Sequence, residues 1–324
     1  LSKRRGKLYV AFVDLRKAFD SVDRQSLFRA LSEAGVSGRM LKSLMSIYKS
    51  VLSCVRAGSS LTDFFECPLG LRQGCCLSPS LFSLFINAVA DNMDAQGRHG
   101  IQLMPGLLEL FLLMFADDIA LLSDTAQGLQ NQLNCLARTC SDLKLTVNTE
   151  KTKIMVFRKG GALRRNEKWF LNGDQLEVVN SYVYLGFQFT TQMSIVRGVS
   201  HFIQKGKRAT FDCIRLVNQL KELPRSVFFK IFDTQVVPIL LYSSEVWGLQ
   251  RLENLERVHV LAIKRYLRVP MKTPNRLVYG ESGRYPLYIS STLRCIKYWL
   301  KLLRMPDSRL PKQAYNMMLT MVQN

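Results

Sequence analysis

The sequence predicts an α+β region over roughly residues 1–190, followed by a mostly helical region over 191–324. Two observations carry this reading. Short β-forming runs alternate with helix-period segments as far as Thr191, and beyond it the strand-like runs give way to helical stripes. The 48% apolar content of the 324 residues is enough to build a core.

LYVAFVDL, residues 8–15, is dense in β-formers and reads as a mostly buried strand. After the turn RKAFD, SVDRQSLFRALSEAG has a helix pattern, with Ser21 or Asp23 as N-cap and Gly35 as its stop. SGRMLKSLMSIYKSV predicts a second helix, and CVRAGSSLTDFFECPLG a hairpin ending in a Gly-rich turn. In LRQGCCLSPSLFSLFINAVADNM, Ser78 and Pro79 take the N-cap and first-turn places of a helix reaching about Met93. FLLMF and IALLS are too short for helices and flank Ala116-Asp117-Asp118 as a tight β-hairpin.

Leu129, Leu133, Leu136, Cys140 and Leu143 then recur at helical spacing. KLTVN and TKIMVF read as strands around a Lys-bearing turn, and Asn172-Gly173 within WFLNGDQLEVV marks a hairpin. SYVYLGFQFT adds a further strand. In the helical region, Ile289, Leu293, Ile296, Leu300 and Leu303 form a stripe expected to be core. Arg294, Lys297, Lys301 and Arg304 form a basic stripe beside it.

Charge narrows the function classes. Lys and Arg number 45 against 25 Asp and Glu, a net +20, which points to a polyanionic partner. Nucleic acid comes first and an anionic membrane surface second. No stretch of about 18 apolar residues lacks a charge, so no membrane span is expected, and LSKRRGKLYV lacks a signal-type apolar core. The eight cysteines include no C-x-x-C pair and the chain has three histidines, which disfavours a structural zinc site. They read as reduced thiols of an intracellular protein, in nucleus or cytoplasm.

The candidate site begins with Asp117 and Asp118, adjacent acids in the apolar segment 107–122, where Glu109 is the only other acid. Burying unpaired carboxylates is costly, and neighbours repel. FVDLRKAFD places Asp14 near the end of a buried strand, with Asp20 and Asp23 just beyond. If that strand lies beside the FADD hairpin in one sheet, Asp14, Asp117 and Asp118 converge at one edge. Three carboxylates with no matching base form an oxygen-ligand site for Mg²⁺, which neutralises their repulsion. Two such ions serve nucleotidyl transfer.

The ordered motifs FVDLRKAFD, GLRQGCCLSPSLFSLFIN, FADD, NTEKTK and YLGF, followed by LLYSSEVWG and VPMKTPNRLVYGESGRYPL, resemble the reverse transcriptase of non-LTR (LINE-type) retrotransposons. The likeness is greatest to jockey-like and chicken-repeat-like elements and covers essentially the whole chain. It implies a right-hand polymerase palm over 1–190, then a helical thumb and C-terminal region. The implied chemistry is RNA-directed DNA synthesis with two Mg²⁺ ions, deoxynucleoside triphosphates, an RNA template and a DNA primer.

Carried onto these positions, the resemblance makes Asp14 and Asp117 bridging metal ligands and Asp118 a looser one. Phe19 becomes the steric gate against a 2′-hydroxyl. Gln73 and Gly74 lie against nucleotide and template, with Arg72 on phosphate. Asn87 is expected to be a buried hydrogen-bonding residue. Lys151 steadies the leaving pyrophosphate, and Tyr184, Leu185 and Gly186 form the primer grip. Lys151, Lys153, Arg158, Lys159, Arg164, Arg165 and Lys168, with Lys205, Lys207, Arg208 and the Arg294 stripe, are expected to line a groove for template and primer.

The family pattern places fingers before the palm, and often an endonuclease before them. The few residues ahead of Asp14, including the basic KRRGK, leave most of the fingers missing in this reading. An inactive or domesticated nucleic-acid-binding remnant is therefore the alternative function. An intron maturase relative and a purely structural helical protein are further rivals. Oligomeric state is open at this level.

Overall fold

The opening apolar run becomes β1 (Leu8–Val13), the middle strand of a five-stranded sheet. The computed structural model describes residues 6–97, 99–104, 108–164, 167–220 and 223–323. Arg165, expected to help line the template–primer groove, and Lys3, Arg4 and Arg5 of the basic KRRGK cluster lie outside the described residues. The chain divides into two compact units, Leu1–Tyr184 and Leu185–Asn324.

In the first unit, β1 leads to α1 (Arg24–Glu33) and α2 (Gly38–Lys49). Four two-residue strands follow: β2 (Leu52–Ser53), β3 (Arg56–Ala57), β4 (Ser60–Leu61) and β5 (Phe65–Glu66). Then come α3 (Ser78–Ala95), β6 (Ile101–Met104), β7 (Leu108–Leu110), β8 (Leu112–Phe115), β9 (Asp118–Ser123) and α4 (Ala126–Asp142). The unit closes with β10 (Lys153–Phe157), β11 (Phe170–Leu171), β12 (Asp174–Gln175), β13 (Glu177–Val178) and β14 (Ser181–Tyr184).

The main sheet has the order β13-β10-β1-β9-β8, with β1 antiparallel to both β9 and β10. Tyr9, Ala11 and Val13 share one core with Ile119, Leu121, Ile154 and Val156, and with side chains of α1, α3 and α4. On the opposite face Phe12 stacks on Tyr182, ring centroids 4.5 Å apart. Both faces of β1 are covered, which is why it reads as a continuous apolar run instead of alternating. At Asn172 (φ 51°) and Gly173 (φ 90°), two consecutive positive φ values form the tight turn between β11 and β12.

Local corrections follow from side-chain geometry. Asp23, not Ser21, caps α1 by accepting the Ser26 N–H at 2.9 Å. Leu77 occupies the α3 cap, while Ser78 is buried inside the helix and donates its hydroxyl to the Arg72 carbonyl at 2.6 Å. KLTVN is not a strand: Val147 makes only an isolated bridge with Leu15. Its partner there is chain that has already run past the end of β1, too short for a ladder.

The second unit holds β15 (Phe187–Thr190), α5 (Ile195–Gln219), α6 (Arg225–Gln235), α7 (Val237–Leu240), α8 (Ser244–Trp247), α9 (Glu253–Tyr266), α10 (Asn275–Ser282), α11 (Leu287–Leu303) and α12 (Leu310–Gln323). Its core gathers Phe202, Phe228, Phe232, Trp247, Val258 and Ile263. The stripe expected to be core in α11 is mostly exposed: Leu293 (51%), Ile296 (43%), Leu300 (41%) and Leu303 (42%). The helix packs instead through Leu287, Ser291 and Cys295. Ser291 donates to the Gly248 carbonyl at 2.9 Å and Cys295 to the Ser244 carbonyl at 3.1 Å. Small residues permit that approach, and hydrogen bonding settles the face where hydrophobicity alone favours another. Among the described residues, no helix is long and apolar enough to cross a membrane.

One acid fastens the start of the sheet to the basic segment after β10. The Lys7 ammonium lies 2.7 Å from both Glu167 oxygens, the Tyr9 hydroxyl donates at 2.8 Å and the Arg164 N–H at 2.7 Å. Burial by itself would raise the Glu167 carboxyl, but these donors outweigh it and hold it below the ordinary value of 4.5. A lowered carboxyl stabilises the fold fully above its unfolded value and loses that contribution as pH falls through the folded one. Glu167→Gln should therefore lower Tm at pH 7 and flatten the acid side of the stability curve. Thermal melts between pH 7 and pH 3 check this; parallel curves for the two proteins would contradict it.

Candidate active site

Register brings the predicted acids together. β1 and β9 pair with Val13 opposite Ile119, so Asp14 and Asp118, each one residue beyond that pair, meet at the same edge. β8 and β9 pair through Phe115 and Asp118, leaving Ala116 and Asp117 as a two-residue tip with Ala116 at φ 53°. Asp14 is half-buried, whereas Asp117 and Asp118 are exposed. The apolar neighbours point into the sheet while the acids stand at its end, so the burial cost suggested by the local sequence is largely avoided.

The electrostatics of the edge are one-signed. Burial first, then the charges of Asp117 and Asp14, push the Asp118 carboxyl above its ordinary value. Every one of these influences acts in the same direction, the mark of a carboxylate set without a base. Among the described residues, no three acidic, histidine or cysteine side chains are gathered tightly enough to hold a metal ion by themselves. Mg²⁺ typically takes one or two carboxylates and completes its shell with water and phosphate oxygens. An open, oxygen-only edge fits that habit.

Asp14 is held by the turn that follows α4. Its carbonyl accepts the Asn148 N–H at 2.8 Å, and its own N–H donates to the Thr152 hydroxyl at 3.2 Å. Thr152 is fully buried, and the turn closes with the Thr152 N–H on the Asn148 carbonyl at 2.9 Å. Lys151 projects from the same turn into solvent. Thr152 and Asn148 were not singled out from the sequence; their only signal was the Lys-bearing turn itself. Tyr182 was also missed. Burial and then the charges of Asp14 and Asp118 raise its phenol, which places that ring beside the acidic edge. Tyr184 donates weakly to the Asp118 carbonyl at 3.5 Å, and its phenol is pushed up to about 12 by burial first and Asp118 next.

The nucleotide-side residues come from two segments clasped together. Phe19 is half-buried and stacks on Phe82 of α3 at 4.2 Å. The Leu71 N–H donates to the Phe19 carbonyl and the Gly70 N–H to the Val22 carbonyl, both at 2.9 Å. Gly70 sits at φ +82°, and a Cβ there would lie 2.7 Å from the Asp20 carbonyl oxygen. Only glycine allows this approach. Arg24, also unforeseen, donates to the carbonyls of Gly70 (3.1 Å), Tyr48 (3.1 Å) and Leu69 (3.2 Å). Gln73 and Gly74 lie exposed in the turn, Gly74 at φ +81°. Arg72 is exposed and donates to the Ile47 carbonyl at 3.1 Å. Asn87 is exposed on α3, against the expectation of burial: Ile86 and Val89 face the core on either side of it.

Of the expected primer grip, Tyr184 belongs to the first unit and Leu185 and Gly186 to the second. Leu185 has φ 47° and Gly186 φ 79°, and the Leu185 carbonyl accepts the Tyr242 hydroxyl at 2.9 Å. The basic residues divide by use. Lys153 pairs with Glu177 at 2.7 Å and Arg294 donates to the Leu241 carbonyl at 2.9 Å, so both serve the fold. Lys168, Lys205, Lys207, Arg208, Lys297, Lys301 and Arg304 are exposed.

Residues 1–189 match the family model described as reverse transcriptase (RNA-dependent DNA polymerase). The chain belongs to the reverse transcriptase family. Its relatives include a Pol polyprotein from the R2 retrotransposable element of Bradysia coprophila, 26% identical over 93% of this chain and 34% of that protein. The RNA-directed DNA polymerase from mobile element jockey of Drosophila funebris is 23% identical over 80% of this chain and 28% of that protein. A solved structure of Candida albicans telomerase in complex with a TWJ fragment of telomeric RNA aligns at TM-score 0.42 and 13% identity, covering 98% of this chain and 49% of that one. The chain spans about a third of the length of these curated relatives. Family membership rests on residues 1–189, the mixed α+β part of the chain, and the reverse transcriptase family generally uses divalent metals.

The clasp makes Arg24 a structural test of the site. Lys lacks the planar fork that reaches three carbonyls at once. Arg24→Lys should cost about 1–3 kcal/mol through orphaned carbonyls, read as a lower Tm and faster proteolysis between residues 48 and 73. Melting unchanged within about 1 °C would remove Arg24 from the account.

Proposed function

We propose that this chain carries the palm and following helical region of a non-LTR retrotransposon polymerase, and that it extends a DNA primer on an RNA template. The observation that carries the reading is the meeting of Asp14 with Asp117 and Asp118 at one sheet edge, inside a chain that belongs to the reverse transcriptase family. Asp14 and Asp117 would hold two Mg²⁺ ions, with Asp118 a looser ligand. Bound there, the ions would lower the pKa of the primer hydroxyl and screen the leaving pyrophosphate.

The chain's own residues orient the reactants. Phe19, backed by Phe82, presents a ring beneath the sugar and leaves no room for a 2′-hydroxyl. Gln73 and Gly74 give the nucleotide a polar side chain and an unencumbered backbone. Arg72 has N–H groups left for phosphate after its bond to Ile47. Lys151, exposed on the turn that holds Asp14, would neutralise pyrophosphate. Tyr184, Leu185 and Gly186 hold the primer end. Exposed basic side chains, within a net charge of +20, supply sequence-tolerant contacts to the template–primer backbone.

Primer extension on an RNA template with Mg²⁺ and deoxynucleoside triphosphates tests this directly. Wild type should extend, and Asp117→Asn should lower the rate by about a hundred-fold or more. Template–primer affinity should stay within about two-fold, with a steep loss of binding as salt rises. Equal extension by wild type and Asp117→Asn, or no extension by wild type, would overturn the assignment. Phe19→Val supplies a second check: it should admit ribonucleotides, and unchanged sugar discrimination would remove the gate.

A further inference from the structure

The segment between β1 and α1 and the turn before α3 are joined by one side-chain bond that the chemistry above does not use. Gln73 Nε2 donates to Asp20 Oδ1 at 2.7 Å, across 53 positions of sequence. The surrounding backbone is already fixed. Leu71 and Gly70 donate to Phe19 and Val22, and Gly70 presses its Cα against the Asp20 main chain. Arg24 draws Leu69 and Gly70 onto the end of α2. With both backbones held, the remaining freedom of Gln73 is its own side chain, which is exposed.

We infer that Asp20 is a positioning residue for nucleotide recognition, acting by fixing the amide of Gln73. A carboxylate only accepts, so it selects the NH₂ end of the amide and decides which way the group is flipped. Oε1 then has no partner among the described residues and is left as the acceptor. A group held this way recognises a hydrogen-bond donor on the incoming nucleotide, and a freely flipping amide would offer donor and acceptor alike. Phe19 and Asp20 are adjacent, so one short segment shapes the sugar pocket and orients its polar reader. The inference rests on the functional reading above for its consequence, but its geometry stands apart from it.

Two measurements separate the possibilities. In the side-chain amide region of an NMR spectrum, assigned with Gln73→Ala, the Gln73 NH₂ pair should sit away from the free-amide position. It should move to that position in Asp20→Ala and keep most of its shift in Asp20→Asn, whose carbonyl still accepts. In primer extension, Asp20→Ala should raise KM for deoxynucleoside triphosphates roughly five-fold, with kcat within about two-fold. Asp20→Asn should recover most of the loss, and Asp20→Ala combined with Gln73→Ala should be no worse than Gln73→Ala alone. Asp20 is exposed, so its melting temperature should change little.

A free-amide shift in wild type overturns the inference, as does full additivity of the two alanine changes or an effect confined to kcat. If wild type does not extend primers, the functional reading fails, and the amide spectrum alone decides whether Asp20 holds Gln73.

Discussion

The pairing register of β1 with β9 is the constraint on which the rest of the site depends. Val13 opposite Ile119 and Ala11 opposite Leu121 put four buried side chains on the helix-covered face. A slip of one residue on β9 would put Ala120 and Leu122 where Ile119 and Leu121 fill the core, and would carry Asp118 away from Asp14. The same register carries Asp14 and Asp118 to one edge. The apolar core thus determines where the charges stand, and the charges themselves contribute only repulsion. A cation at that edge would relieve the repulsion that Asp117 and Asp14 impose on Asp118.

Around this edge the structure divides its polar groups between holding and exposing. Asn148 and Thr152 hold Asp14 through backbone contacts, leaving its carboxyl uncommitted by them. Arg24 spends its guanidinium on three carbonyls, and Lys7, Lys153 and Arg294 serve the fold. The basic side chains that stay exposed, such as Lys205, Lys207 and Arg208 on α5, are those available to a polyanion. High net charge alone does not identify which cations bind outward; their hydrogen bonds do.

The elements set by local chemistry were legible in the sequence. Two apolar runs too short for helices flank Asp117-Asp118, and the observed hairpin follows. Asn172-Gly173 forms the turn its backbone preference dictates. Interactions between distant segments were not legible. Nothing near Gln73 in sequence points to Asp20, and nothing near Arg24 points to Leu69. In α11 the more hydrophobic stripe was the wrong face, because Ser291 and Cys295 allow close packing and bond to carbonyls of α8 and its end. KLTVN has strand composition, but the strand it would join has already ended.

The most direct test of the carboxylate edge is paramagnetic broadening by Mn²⁺ in place of Mg²⁺, read on backbone amides of the protein. Low concentrations of Mn²⁺ should broaden Val13, Asp14, Asp118 and Ile119 together, ahead of residues around Glu167, and excess Mg²⁺ should restore them. Broadening that spares Asp14 while affecting Asp118, or that spreads over all exposed acids alike, would contradict the claim that the β1–β9 register builds one divalent-cation site.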